Sequence, residues 1–246
     1  MHTSPRVELL GCPIDALTRD ETLERLWQMV EGGGTHRHSC VSAAKLNKMQ
    51  SDRALADAVH SSDVISADGM GVVLGTRLAG APVPERVTGI GLFLGLVERA
   101  AARGRTVYLL GDVPGTAEAV RDRLVEQLPT LRVVGTHHGF FDDPLPVVRD
   151  IRRAAPDVLF VAMGTPRQEL FQRRWQSEMQ VPLTMGVGGS FAVVSGRVRP
   201  TPPMIGELGL EWLHRLMQDP RRLLRRNVVD HAGFVVRLIR SRVNRG

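Results

Sequence analysis

The chain has 246 residues, of which 43% are hydrophobic, 24% are charged and only 4% are aromatic. This length and composition fit one large globular domain, or a domain with a short extension, and exclude a disordered chain, a coiled coil, a collagen and a disulfide scaffold. The two cysteines, Cys12 and Cys40, are expected to fill small gaps in the core. We expect a cytoplasmic protein, because we see neither a signal peptide nor an apolar run of about 20 residues that could span a bilayer.

The formal net charge of +6 is concentrated near the C-terminus. Residues 212–246 contain nine arginines against two aspartates, whereas residues 1–211 carry a net charge of −1. The main body is therefore nearly neutral and the last segment is a basic arm. The overall charge alone does not indicate a nucleic-acid-binding protein.

Short apolar or β-branched runs alternate along the body with longer stretches of helical periodicity. The predicted strands cover residues 7–10, 39–43, 64–66, 107–110, 131–135, 158–162 and 183–186. The first predicted helix begins after Thr18, whose capping box with Glu21 marks its start, and ends near Gly32. Further helices are predicted at residues 54–61, 91–102, 116–128, 147–155 and 167–179. The alternation predicts an α/β, Rossmann-like fold, in which helices flank a mostly parallel sheet and ligands bind at the carboxyl ends of the strands.

The sequence changes character after the last predicted strand. Three prolines within residues 196–203 mark a connector that can form neither a regular strand nor a helix. One helix is predicted beyond it at residues 206–217, and a second begins after Asp219, which is a suitable N-cap. The second helix is amphipathic, with apolar residues on one face and arginines on the other. We therefore predict an α/β domain over residues 1–199 and a basic helical appendage over residues 200–246.

Several predicted strands run directly into glycine or aspartate, at the sheet edge where such a fold binds its ligands. These residues are Asp68, Gly69, Gly111, Asp112, Gly164, Gly186, Gly188 and Gly189. Glycine there lets backbone N–H groups approach a phosphate, although each glycine alone could equally end its strand for steric reasons. Four such segments at one edge favour a nucleotide or another phosphorylated ligand.

Three acids near these strand ends each have two interpretations. Asp68 could point into the crevice, or it could form an Asx-turn or cap the next helix. Asp112 could face a ligand or cap the helix that starts near Thr116. Glu169 could take part in the site or simply complement a helix dipole from the first turn.

Other familiar motifs are absent. The glycines after residue 68 miss the dinucleotide spacing G-x-G-x-x-G by one position, and Ser190 lacks the second glycine of a nucleophile elbow. No P-loop G-K-[ST] occurs. Histidine, cysteine and acidic residues do not recur at metal-ligand spacing, so we predict no metal site.

An ordered set of motifs resembles the WecG/TagA/CpsF family of glycosyltransferases. The motifs are VSAAKL at 41–46, DVISADG at 63–69, PERVTG at 84–89, LLGD at 109–112, GFF at 139–141, MGTPRQE at 163–169, GVGGSF at 186–191 and GLEWL at 209–213. The resemblance covers residues from about 7 to 240, and an ordered series is far more specific than any one of its members.

The resemblance implies an inverting transferase that moves N-acetylmannosamine or a related sugar from a UDP-sugar to a polyprenyl-diphosphate-linked sugar. Family members build wall teichoic acid, capsule, exopolysaccharide and related surface polymers. A peripheral location on the inner face of the cell membrane is implied, with no metal or other cofactor and no nucleic acid partner. The sequence also allows a homo-oligomer.

By motif, Asp68 matches the aspartate proposed as general base, which would take the proton of the attacking hydroxyl. Candidate substrate-binding residues are Ser42, Arg86, Asp112, Phe140, Gly164, Gln168, Gly186, Gly188, Gly189, Arg221, Arg222, Arg225 and Arg226. The four arginines of this set match an appendage thought to close over the diphosphate, where arginine would take the role that a metal has elsewhere. Contact with anionic lipid headgroups is an equally good interpretation of them.

The chain also departs from the family pattern. Cys40 and Ser42 stand where many relatives have Thr and Asn, so that a polar anchor for the substrate could be weakened, or replaced by Lys45 or Asn47. Ala192 stands where an acid is common, and Pro200 where a basic residue is common. These departures leave the sugar open and permit an alternative function, a non-catalytic nucleotide-sugar or lipid-binding protein of the same fold. A nucleic-acid binder that uses the basic arm is disfavoured by the neutral body and the lack of an aromatic stacking platform.

Overall fold

The computed structural model describes residues 5–199 together with Phe234 and Arg237. The strands of residues 5–199 are β1 Arg6–Leu9, β2 Cys12–Asp15, β3 His36–Val41, β4 Val64–Ala67, β5 Thr106–Gly111, β6 Arg132–His137, β7 Val158–Ala162 and β8 Leu183–Gly186. The helices of the same stretch are α1 Arg19–Glu31, α2 Ala43–Met49, α3 Arg53–His60, α4 Met70–Leu78, α5 Gly89–Ala102, α6 Thr116–Gln127, α7 Leu145–Ala154, α8 Arg167–Met179 and α9 Ser190–Val194.

Six of these strands form one parallel sheet in the order β4-β3-β8-β7-β5-β6. The strands β1 and β2 pair separately as an antiparallel hairpin. The predicted α/β class, with a mostly parallel sheet flanked by helices, is confirmed. Because all six strands of the large sheet run the same way, their carboxyl ends lie at one edge.

Helices cover both faces of the sheet, which explains why all five residues of the central strand β7 are buried. On one face α1, α5, α6 and α9 pack around Phe93 and Phe160, whose rings meet edge to face with centroids 4.6 Å apart. On the other face α7 and α8 cover β5 and β7, while α2, α3, α4 and the hairpin cover β3 and β4. The core is therefore two apolar layers separated by the sheet.

Side-chain caps define where four of the helices begin. Thr18, Ser42, Asp52 and Thr88 each accept a hydrogen bond from a backbone N–H one turn into α1, α2, α3 and α5. At Thr18 the predicted capping box is confirmed, because the Glu21 carboxylate also accepts from the Thr18 backbone N–H at 2.8 Å.

The structure adds elements that the sequence pattern did not predict. The predicted strand 39–43 is β3, which begins three residues earlier and ends two residues earlier because Ser42 caps α2. The helix α4 was also missed, since Gly71 and Gly75 lower its helix propensity. The predicted strand 7–10 is only one half of a hairpin.

Both cysteines are buried free thiols, so the prediction that they fill the core is confirmed. Burial raises the pKa of Cys12 and of Cys40 to about 12, which keeps both thiols protonated at neutral pH.

Most of the appendage, residues 200–246, lies outside the described residues. The first four residues of the predicted connector, 196–199, are described and form neither a helix nor a strand. The rest of the connector and the two predicted helices lie outside this description, apart from Phe234 and Arg237, which are both helical. Among the helices described, none is both long enough and apolar enough to cross a bilayer.

Candidate active site

The carboxyl edge of the sheet gathers most of the predicted site residues into one row. In sheet order, the segments after β4, β3, β8, β7, β5 and β6 contain Asp68, Ser42, Gly188, Gly164, Asp112 and Phe140. Residues that are far apart in the sequence therefore become neighbours, as expected for a parallel α/β sheet.

Asp68 is half-buried at the end of β4, where its backbone N–H donates to the carbonyl oxygen of Val41 at 2.8 Å. The next residue, Gly69, has φ +105° and is the N-cap of α4, so the alternative in which Asp68 is the N-cap is wrong. The carboxylate lies close enough to Lys45 and Cys40 that its negative charge contributes to raising the pKa of both groups. Asp68 thus lies at the carboxyl edge of the sheet, near Lys45 and Cys40.

A backbone hydrogen bond brings the segment that contains Arg86 next to Asp68. The N–H of Val87 donates to the carbonyl oxygen of Ala67 at 2.9 Å, which joins the loop before α5 to the end of β4. Arg86 precedes the donor of this hydrogen bond and Asp68 follows its acceptor, and both residues are half-buried.

Ser42 caps α2, since its hydroxyl oxygen accepts from the Lys45 backbone N–H at 3.3 Å. The cap is a local structural role that the sequence did not predict. A contact between Ser42 and a substrate stays a prediction.

A buried ion pair joins Lys45 and Glu169 at the centre of this edge. The Lys45 Nζ donates to Glu169 Oε1 at 2.7 Å and to the carbonyl oxygen of Cys40 at 2.6 Å. Burial alone would lower the pKa of Lys45 and raise that of Glu169, but their attraction outweighs burial. The pKa of Lys45 is raised and that of Glu169 is lowered. Both groups are therefore charged at neutral pH, and Glu169, in the first turn of α8, does more than complement the helix dipole.

Gln168 connects this ion pair to the loop after β8. Its Nε2 donates to Glu169 Oε1 at 2.9 Å, and its Oε1 accepts from the Gly188 N–H at 3.1 Å. A Cβ on Gly186 would lie 2.7 Å from Gln168 Nε2, so Gly186 provides space for this side chain. The Gly188 N–H is used within the protein, and Gly189 after it is exposed.

Asp112 follows β5 with a left-handed φ of 58°. Its carboxylate accepts from the Val113 N–H at 2.8 Å and pairs with Arg197. Gly115 is the N-cap residue of α6, so the interpretation of Asp112 as that cap is wrong. Asp112 instead ties the segment after α9 to the ligand edge.

Phe140 and Arg167 form the far end of the row. The Phe140 ring is 57% exposed, and the Arg167 guanidinium lies 5.5 Å from the ring centroid and donates to the carbonyl oxygen of Gly139 at 2.8 Å. Gly164, between them and the centre, has φ +71° and would accommodate no side chain without backbone strain. An exposed aromatic face beside an arginine is suited to stacking with a planar base.

Two residues of the appendage contact the elements beside Asp68. Phe234 is only 4% exposed and packs with the apolar cluster around Leu9 and Gly75. Arg237 Nε donates to Asn47 Oδ1 at 3.1 Å, on the helix α2 that follows β3. The other candidate residues of the appendage lie outside the described residues: Arg221, Arg222, Arg225 and Arg226.

In the part of the chain that is described, no group of three or more His, Cys, Asp and Glu side chains is arranged to hold a metal ion. Whether the reaction uses a metal is not tested by this arrangement, and its metal independence stays a prediction.

Sequence reasoning named Lys45 only as an alternative polar anchor and did not single out Arg167 or Arg197 as parts of this edge. One signal was present for Lys45, because Lys45 and Lys48 are the only lysines among 32 basic residues. Their partners could not be read from the sequence, since Glu169 is 124 positions from Lys45 and Asp112 is 85 positions from Arg197.

The parallel sheet and the polar row along its carboxyl edge form the kind of site at which open α/β folds bind their ligands. Residues 7–246 match the family described as "Glycosyl transferase WecG/TagA/CpsF family". The chain belongs to this family, which confirms the resemblance seen in its motifs and identifies the protein as a glycosyltransferase.

Curated relatives share one activity in their names. N-acetylglucosaminyldiphosphoundecaprenol N-acetyl-beta-D-mannosaminyltransferase of Bacillus subtilis (strain 168) is 33% identical over 171 residues, which are 70% of this chain and 67% of the relative. The protein of the same name from Staphylococcus aureus (strain MW2) is 29% identical over 221 residues, or 89% of this chain and 87% of the relative.

Proposed function

We propose that the protein transfers N-acetylmannosamine or a closely related sugar from a UDP-sugar to a polyprenyl-diphosphate-linked sugar, with Asp68 as the general base. The single observation that carries this proposal is the position of Asp68, half-buried at the carboxyl edge of the sheet and beside the Arg86 loop. The names of the relatives, which act on N-acetylglucosaminyldiphosphoundecaprenol, support the acceptor class.

The chemistry is a single displacement. The acceptor hydroxyl attacks the anomeric carbon while Asp68 takes its proton, a new C–O bond forms, and UDP leaves with the electron pair of the broken C–O bond. Displacement of an α-linked nucleotide sugar gives a β-linked product, which is the linkage in the names of the relatives.

The leaving diphosphate gains negative charge, which needs donors that are already in place. We assign this role to Arg221, Arg222, Arg225 and Arg226, since residues 212–246 carry a net charge of +7. The same arginines would hold the protein at an anionic membrane surface, where a polyprenyl acceptor is embedded. The proposed reaction needs no metal, because arginine offers bidentate contacts to phosphate.

The proposal is tested by transfer from UDP-N-acetylmannosamine, and from other UDP-sugars as competitors, to a short-chain polyprenyl-diphosphate N-acetylglucosamine. We expect a disaccharide product and release of one UDP per transfer. Binding of UDP-sugar with no product under any donor would support the non-catalytic alternative and overturn the proposal.

Asp68→Asn tests the base. Loss of a general base is expected to lower turnover by about 100-fold or more, with folding and UDP affinity almost unchanged. Asp57→Asn on α3, where the side chain is 50% exposed, is the matched control and should keep normal turnover. Near-normal turnover of Asp68→Asn would remove Asp68 from this role.

A further inference from the structure

A single carboxylate oxygen receives three donors at the middle of the sheet edge. Glu169 Oε1 accepts from Lys45 Nζ at 2.7 Å, from Gln168 Nε2 at 2.9 Å and from Thr165 Oγ1 at 3.2 Å. The residue Glu169 is only 3% exposed, and the Lys45 side chain is 9% exposed. The interactions are therefore shielded from solvent and are stronger than they would be at the surface.

These donors connect the ends of three adjacent strands. Lys45 also holds the carbonyl oxygen of Cys40 in β3, at 2.6 Å, and Thr165 belongs to the turn after β7. Gln168 reaches the loop after β8 through the Gly188 N–H. Since β3, β8 and β7 are neighbours in the sheet, Glu169 fixes the relative positions of three segments that line the edge.

Stability alone does not explain a polar cluster at this position. Replacing a buried ion pair by apolar residues of similar volume is often neutral or stabilising, because desolvation offsets most of the attraction. The second carboxylate oxygen, Glu169 Oε2, is buried and has no hydrogen-bond partner among the described residues. What the cluster does provide is defined geometry, as buried polar networks often do.

We propose that Glu169 is a positioning residue of the donor subsite, with Lys45 as its counter-charge, and that it acts by holding Gln168 and the loop after β8 in the orientation that binds UDP. This inference rests on the proposed function. Glu169 acts through its neighbours and need not touch the substrate.

Two double variants with the same net charge distinguish the positioning role of Glu169 from the effect of the ion pair. Lys45→Met with Glu169→Gln removes both charges but keeps an acceptor for Gln168 and Thr165. Lys45→Met with Glu169→Leu removes the charges and that acceptor. UDP affinity is measured by calorimetry, and kcat and KM by the transfer assay, each normalised to the folded fraction from circular dichroism.

We expect the Gln-containing double variant to bind UDP and transfer sugar at a reduced level, because Lys45 no longer holds the carbonyl oxygen of Cys40. The Leu-containing variant should bind UDP about tenfold more weakly than the Gln-containing one and have a kcat about tenfold lower, because a small misplacement of binding groups can cost up to about 100-fold. A structural role alone would lower the melting temperature without separating the two variants in activity per folded molecule.

A matched control exists at the opposite edge of the sheet. Asp157 also receives three donors, from the Thr106 backbone N–H at 2.7 Å, the Thr106 hydroxyl at 2.8 Å and Arg105 at 3.1 Å. The double variant Arg105→Met with Asp157→Leu should lower stability but leave UDP affinity and kcat of the folded protein within about twofold, because it lies away from the ligand edge.

Equal UDP affinity and kcat in the two Lys45 double variants would overturn the inference, as would an equal loss in the Asp157 control. Failure of the wild type to bind UDP or to transfer sugar would instead refute the proposed function. The two failures are therefore distinguishable.

Discussion

Gly186→Ala tests the packing that orients Gln168. Gly186 ends β8 and lies directly against that side chain. A Cβ at this position would lie 2.7 Å from Gln168 Nε2 and 3.1 Å from both Gln168 Cδ and Gln172 Nε2. The backbone of Gly186 does not have a positive φ, so steric contact is the main effect of the added methyl group.

The size of the effect follows from the bonds that Gln168 must give up. Gln168 is 3% exposed, so its amide cannot turn to water when it is displaced. The two bonds at risk are those to Glu169 Oε1 at 2.9 Å and from the Gly188 N–H at 3.1 Å. A buried polar group left without its partner costs about 1–3 kcal/mol, so we expect Gly186→Ala to reduce the free energy of unfolding by about 2–4 kcal/mol.

A double-mutant cycle with Gln168→Ala checks the reasoning by urea denaturation. Gln168→Ala removes the closest atom that the new methyl group would meet and leaves only Gln172 Nε2 at 3.1 Å, so the double variant should be nearly as stable as Gln168→Ala alone. Gly186→Ala should also weaken UDP binding, and the double variant should bind UDP about as well as Gln168→Ala alone. Additive losses of stability, or a Gly186→Ala variant within about 0.5 kcal/mol of the wild type, would refute the assigned contact.

Three further predictions concern other parts of the molecule. Phe140→Ala should change stability by less than about 0.5 kcal/mol, because the ring is 57% exposed, but should weaken UDP binding about fivefold or more through lost stacking; an unchanged dissociation constant would exclude Phe140 from the donor site. Phe234→Ala should cost about 3 kcal/mol of unfolding free energy by emptying a core position that is 4% exposed, whereas Arg237→Ala should cost about 0.5 kcal/mol; equal effects would argue against the packing of Phe234. Burial lowers the pKa of His38 to about 3. Below about pH 6.5 the imidazole is therefore protonated in the unfolded state but stays neutral in the native state, and the free energy of unfolding falls as the pH drops. His38→Gln should therefore gain about 2 kcal/mol relative to the wild type between pH 7 and pH 5, measured by denaturation at both values, and parallel pH dependences would contradict this.

The sequence was most informative where a local rule decides the structure. The start of α1 was predictable because Thr18 and Glu21 satisfy each other's backbone donors within one turn. The helix α8 was predicted with the observed bounds, Arg167–Met179. The row of glycines and acids was predictable because parallel strands must end at one edge.

Elements that depend on tertiary contacts were missed. Gly71 and Gly75 weaken α4 as an isolated helix, but a Cβ at Gly75 would lie only 3.1 Å from Leu9 and 3.2 Å from Phe234. The close packing against Gly75 is made by residues far away in the sequence. Tertiary packing therefore overrides the low helix propensity of α4, and this packing cannot be inferred from the local sequence.

The partners of the polar groups in the site also could not be inferred from the local sequence. These partners affect which cations can bind the diphosphate. Several cations at the described edge already face an acceptor: Lys45 pairs with Glu169, Arg197 pairs with Asp112, and Arg167 donates to the carbonyl oxygen of Gly139. The Gly188 N–H, which the glycine motif suggested for phosphate, donates to Gln168. Charge that is already compensated binds an added anion weakly, because the existing partner must first be displaced. The compensation of Lys45, Arg197 and Arg167 supports the proposal that the arginines after residue 220 supply positive charge to the diphosphate.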